Sequence, residues 1–146
     1  ISIDLSDLQS NVGKELYKDD THSIYVTGVD NPGNVESGGY RIGFRSIGQY
    51  SLKDASLVSG VHHITKDNSY THTMSAEMKA EYNGKTYEST ISAIGGINYK
   101  DGDDFDFYIF PAEAYENNDI SLDEKGIVTL TVSNLHKNVW NKKSET

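Results

Sequence analysis

Asn83-Gly84 constrains this chain more than any other pair of residues. Asn-Gly is the strongest short hairpin signal, because both central residues of a type I′ turn need positive φ. A two-residue loop centred there pairs Tyr82 with Lys85, Ala80 with Tyr87 and Met78 with Ser89. Further back it pairs Ala76 with Ile91 and Met74 with Ala93. Side chains alternate along a strand, so these residues share one largely apolar face. The opposite face carries Glu81/Thr86, Lys79/Glu88 and Glu77/Thr90, with one favourable cross-strand charge pair.

Asp67-Asn68 is a second turn signal. Centred there, a hairpin pairs Thr65 with Tyr70, His63 with His72, Val61 with Met74, Ser59 with Ala76 and Leu57 with Met78. Met74, Ala76 and Met78 thus face inward in both hairpins. A one-residue slip would invert every side chain, so the agreement of two independently placed turns is informative. Together they predict a three-stranded antiparallel meander over 56–65, 70–82 and 85–94.

The rest of the chain extends this pattern. Alternation predicts strands at Ile1–Leu5, His22–Val29, Tyr40–Arg45, Phe105–Phe110 and Ile127–Ser133. Leu5, Leu8, Val12 and Leu16 follow helical spacing, and Ser6 with Gln9 forms a capping box, so a short helix is expected over 7–17. Pro111 to Asn118 is expected to form a helical turn with Pro at its start. Gly95-Gly96 marks a bend or bulge. About seven or eight strands with regularly spaced turns predict an all-β, antiparallel β-sandwich, immunoglobulin-like or jelly-roll-like. A closed barrel is the alternative. The 146 residues suit one domain over 1–140. Residues 141–146 read as a disordered basic tail carrying Lys142 and Lys143.

Charge narrows the function classes. A net charge of -9 argues against nucleic acid, which needs a basic footprint, and against anionic lipid. No cysteine is present, which excludes disulfides and thiol chemistry. No apolar run approaches the roughly 18 residues that span a bilayer, so membrane insertion is not expected. The chain opens at Ile1 without a signal-peptide pattern, and the expectation is a mature product that is secreted or surface-displayed.

Four groups of residues are candidates for chemistry. Asp101, Asp103, Asp104 and Asp106 cluster on a Gly-bearing turn, and closely spaced carboxylates can hold calcium. The EF-hand spacing is absent, and Asp119, Asp123 or Glu124 would have to complete the site. Otherwise the cluster is a solvated turn, and no cofactor is expected. His63 opposite His72 could hold a metal given further ligands; a hydrogen-bonded pair at the sheet rim is the simpler reading. Arg41 and Arg45 share a strand face and could clamp a carboxylate or sulfate, or bond neighbouring acidic side chains. Tyr25, Tyr50, Tyr99, Tyr108, Tyr115 and Trp140 are expected on loops, on wet faces or near strand ends, where Tyr99 and Tyr108 could form a platform for sugar rings; the alternative is that these rings cap the core ends of the sandwich.

Catalytic signatures are missing: no G-x-S-x-G elbow, H-E-x-x-H, phosphate loop or dinucleotide fingerprint stands in the chain. The expectation is a non-catalytic extracellular module that binds carbohydrate or a cell-surface ligand. The alternative is a structural or adhesive assembly subunit whose Ile1–Leu5 segment adds to a neighbour's sheet edge. A hydrolase with an open cleft is the third reading.

Overall fold

The structure, a computed structural model, describes residues 1–50, 54–66, 69–98 and 102–141. In chain order the strands are β1 (Ser2–Asp4), β2 (Glu15–Lys18), β3 (Ser23–Asp30), β4 (Arg41–Ile47), β5 (Gln49–Tyr50), β6 (Asp54–Ser59) and β7 (Val61–Lys66). They continue with β8 (Ser69–Met74), β9 (Glu77–Tyr82), β10 (Lys85–Glu88), β11 (Thr90–Asn98), β12 (Gly102–Tyr108), β13 (Ile127–Ser133) and β14 (His136–Asn141). One short helix, α1 (Ala112–Glu116), follows β12. The expected tail over 141–146 lies outside the described residues after Asn141.

All strand pairs are antiparallel. A four-stranded sheet has the order β1-β13-β9-β10, and a five-stranded sheet the order β11-β12-β4-β3-β2. Strands β14-β6-β5 and β7-β8 form two smaller sheets. The two large sheets lay their apolar faces on one core. Ile3, Met78, Ala80, Val128 and Leu130 come from the first; Ile24, Val26, Ile42, Phe44, Phe105 and Phe107 come from the second. Such face-to-face packing is how a sandwich buries alternating strands. Phe44 stacks on Phe105 with ring centroids 5.5 Å apart. Phe110 is met edge-on by Tyr40, Tyr82, Tyr87 and Tyr115.

Both hairpin registers agree with the sequence. Tyr82 pairs with Lys85, and Lys79 with Glu88. Val61 pairs with Met74, His63 with His72, and Thr65 with Tyr70. Ala76 and Met78 are buried, and Met74 packs against the core. The continuous meander, however, breaks at three points. The N–H groups of Ser75 and Ala76 both donate to the Gly60 carbonyl, at 2.7 and 3.0 Å. Two residues there face one, as in a β-bulge, and the chain bends. Beyond the bend β6 joins β14 and β5, while β9 joins β13. The third break is Ser89. Its N–H still reaches the Met78 carbonyl, but its hydroxyl donates to the Ile109 carbonyl at 2.7 Å. The chain then crosses to the other large sheet, where Ile91 pairs with Phe107 and Ala93 with Asp106. Fourteen strands among the described residues, against the seven or eight expected, follow from such breaks and from short edge pieces.

The helix expected over 7–17 is a single 3₁₀ turn at Leu8–Asn11 followed by strand β2. Two residues explain the stop. The Asn11 side-chain amide donates to the carbonyls of Asp4, Asp7 and Leu8, offering the backbone an alternative to helical bonds. Gly13 then takes φ +90, which ends right-handed winding. Ser6 bonds Asp4 rather than capping the turn. The helical turn after Pro111 forms as α1, and the Gly95-Gly96 segment coincides with a register irregularity in β11.

Candidate functional site

Strand pairing across β12, β4 and β3 decides which polar side chains meet. Tyr108 pairs with Arg41 and Arg41 with Asp30; Asp104 pairs with Arg45 and Arg45 with Tyr25. Between these rows Asp106 stands opposite Gly43. Arg41, Gly43, Arg45, Asp104, Asp106, Tyr108 and Tyr25 are all half-buried, and their strand neighbours Ile42, Phe44, Phe105 and Phe107 are fully buried. The alternation therefore collects five sequence-predicted site residues, Arg41, Arg45, Asp104, Asp106 and Tyr108, on the outer face of the five-stranded sheet.

Each arginine already holds a carboxylate on that face. Arg41 Nη2 donates to Asp30 Oδ2 at 2.9 Å, and Arg45 Nη1 donates to Asp104 Oδ1 at 2.8 Å. Asp106 lies between the two pairs. A Cβ added to Gly43 would stand 3.0 Å from Asp106 Oδ1 and 2.8 Å from Thr27 Oγ1. A glycine in mid-strand thus makes room for the carboxylate. Burial pushes the Asp106 carboxyl up, aided by Asp104 and Asp30 and opposed by Arg41.

Tyr108 ends this face. Its ring packs against Gly38, where any Cβ would overlap it and where φ is +92. Beside it opens a groove of about 260 Å³, lined by Val35, Glu36, Thr90 and Tyr108 and by the buried rings of Phe110 and Tyr115. A second groove, of about 400 Å³, opens where β10 stops at Glu88, leaving Ile91 half exposed beside Met78 and Phe107.

The remaining predicted residues do not join this face. Asp103 points into the core and is fully buried, because one step along β12 reverses the side chain. Asp101 and Tyr99 lie outside the described residues. Among the described residues no three histidines or carboxylates stand close enough to hold a metal ion. His63 stands opposite His72 in the ladder. Tyr115, one of the aromatics expected on loops, on wet faces or near strand ends, is buried and caps the end of the core, where its hydroxyl accepts the Tyr40 N–H at 3.0 Å. The Ile1–Leu5 segment, expected to add to a neighbour's sheet, pairs with β13 of its own chain and buries Ile3 and Leu5.

One constellation escaped the sequence reading. His22 closes the loop between β2 and β3 and is buried. Its Nδ1 lies 3.0 Å from Asp19 Oδ1, and its Nε2 lies 2.8 Å from Ser56 Oγ on β6. Asp19 also accepts from the Tyr17 hydroxyl and from the backbone N–H groups of Thr21 and His22. These bonds hold its carboxyl well below the usual range, with Tyr17 the largest contributor. Asp19 and His22, three apart, form a recognisable local pair. Ser56 has no motif around it and is joined only by folding.

Compared with protein-family models, with curated proteins and with solved structures, the chain gives no match. No helix among the described residues is long and apolar enough to cross a membrane.

Proposed function

We propose that this is an extracellular binding module for carbohydrate, acting through the outer face of the five-stranded sheet and the groove beside Tyr108. The observation that carries this reading is the alignment of Tyr108, Arg41 and Asp30 in one row and Asp104, Arg45 and Tyr25 in another. Sugar rings present C–H faces that pack on aromatic rings, and hydroxyl pairs that bond guanidinium and carboxylate groups. The two ion pairs are surface pairs, each worth about 0–1 kcal/mol of stability. Their better use is to hold donors and acceptors in fixed directions before a ligand arrives, which lowers the cost of binding. No covalent step belongs to this face.

Retention on insoluble polysaccharides and on a glycan array tests the reading. The expected result is retention of the native chain and at least a tenfold loss in Tyr108→Ala and in Arg41→Ala, with unchanged circular dichroism. Retention on no glycan, or full retention in both variants, overturns it. A calcium requirement is proposed with it, through Asp104 or Asp106 together with Asp101. Loss of retention in EDTA, restored by calcium alone, supports that requirement; unchanged retention removes it.

A second reading follows from the half-exposed Ile91 on edge strand β11. An edge strand with an uncovered apolar side chain can accept a strand from an assembly partner. Concentration-dependent oligomers in light scattering, abolished by Ile91→Lys, support it; a monomer at all concentrations removes it.

A further inference from the structure

We propose that Ser56 is an activated nucleophile, with His22 as its general base and Asp19 as the positioning residue, and that the site hydrolyses small activated acyl esters. This goes beyond the binding reading and concerns a different part of the molecule. The geometry carries it. A carboxylate can only accept, so Asp19 at 3.0 Å fixes the proton of the neutral imidazole on Nδ1. Nε2 is then left with its lone pair toward Ser56 Oγ at 2.8 Å, where it accepts the hydroxyl proton. Nucleophile, base and orienting acid within hydrogen-bond reach are the geometric sign of nucleophilic catalysis, whatever the fold or chain order.

The surroundings suit the roles. Asp19 is fixed by bonds from Tyr17, Thr21 and His22, so the acceptor that orients the ring is itself oriented. Thr21 Oγ1 lies 2.9 Å from the same Nδ1 and 3.4 Å from Asp19 Oδ1, within the same network. The imidazole is buried, which shields it from bulk water, while Ser56 is only partly buried.

The chemistry balances without a further reactant. Ser56 Oγ forms a bond to the acyl carbon as its proton passes to His22 Nε2. The ester C–O bond breaks, and the leaving alkoxide takes that proton. Water then attacks the acyl-serine by the same relay, releasing the carboxylic acid and restoring the hydroxyl.

A fluorophosphonate probe, which forms a stable phosphonyl ester with activated serine, tests the site on the intact chain. The expected result is an adduct located on Ser56 by peptide mass spectrometry and absent in Ser56→Ala. Labelling should slow at least about a hundredfold in His22→Gln, in keeping with loss of a general base. It should slow at least tenfold in Asp19→Asn, with circular dichroism unchanged. Should a variant not fold, the native chain still decides. No adduct, or an adduct only at other residues, overturns the proposal, as does labelling of folded His22→Gln at the native rate.

Discussion

Tyr115 shows how a single hydroxyl ties the core to the candidate groove. Its oxygen accepts the buried Tyr40 N–H, so Tyr115→Phe leaves that donor unsatisfied and should cost about 1–3 kcal/mol in denaturant unfolding. The same burial pushes the phenol up to about 12. Its native pKa exceeds the unfolded value near 10, so between these pH values the folded state binds more protons than the unfolded one. Stability is therefore fully present below pH 10 and falls as pH rises toward 12, by up to about 1.4 kcal/mol per unit. Tyr82, raised by burial and by its bond to Glu124, acts in the same direction. Unfolding free energies between pH 9 and about 12 should fall less steeply for Tyr115→Phe than for the native chain. At this scale the sequence was legible wherever one strand period decided the outcome. Arg41 and Arg45, or Asp104 and Asp106, lie two apart and share a face. The same period splits Asp103 from Asp104, which a cluster read by proximity misses. Tyr115 was legible only as one of two alternatives, since a tyrosine on a one-turn helix carries no periodic signal.

At Gly60 and Ser75 the chain changes sheets without changing faces. Ala76 and Met78 stay buried past the bends at Gly60 and Ser75, and Ile91, past the bend at Ser89, pairs with the buried Phe107 although it is itself left half exposed. The period of two therefore runs unbroken through the bends at Gly60 and Ser75, and no alternation pattern could mark them; past Ser89 it slips between Ile91 and Ala93, so that Ala93 stands opposite Asp106 of the outer face. The corners rest on contacts: a Cβ at Gly60 would stand 2.8 Å from the Phe105 ring and 3.0 Å from Ala76 Cβ. Gly60→Ala should cost about 1–3 kcal/mol through overpacking. Gly84→Ala has open space around it but a φ of +80, so it should cost about 1–2 kcal/mol through backbone strain alone. Combining each with Phe105→Leu separates the causes. The Gly60 pair should be less than additive in thermal or urea unfolding, because the smaller side chain relieves the clash; the Gly84 pair should add. The helix over 7–17 failed for a related reason. Its apolar spacing was real, but Asn11 and Gly13 act on the backbone, and hydrophobic periodicity does not register them.

The four-stranded sheet is closed by the two distant parts of the chain that β1 and β13 represent. Ile3 pairs with Val128, and Ile3 and Leu5 are both buried. Removing residues 1–5 should cost about 3–6 kcal/mol, since burying each aliphatic side chain stabilises by about 1.5–3 kcal/mol. Urea unfolding would measure the loss, and light scattering would show whether the uncovered edge of β13 then recruits other chains. The acidic surface bears on this scale too. A charge of -9 makes like chains repel at low ionic strength, so any such association should grow as salt screens them.

The pairing of β1 with β13 also sets an order of events during synthesis. The first strand leaves the ribosome long before its partner exists, and β9 must likewise wait for β13. Until Ile127–Ser133 emerges, β1 lacks its ladder partner and β9 has only β10 beside it, and contacts so distant along the chain are slow to form. A nascent chain arrested before Ile127 should thus be readily cut by protease, and one released a few residues after Ser133 should resist.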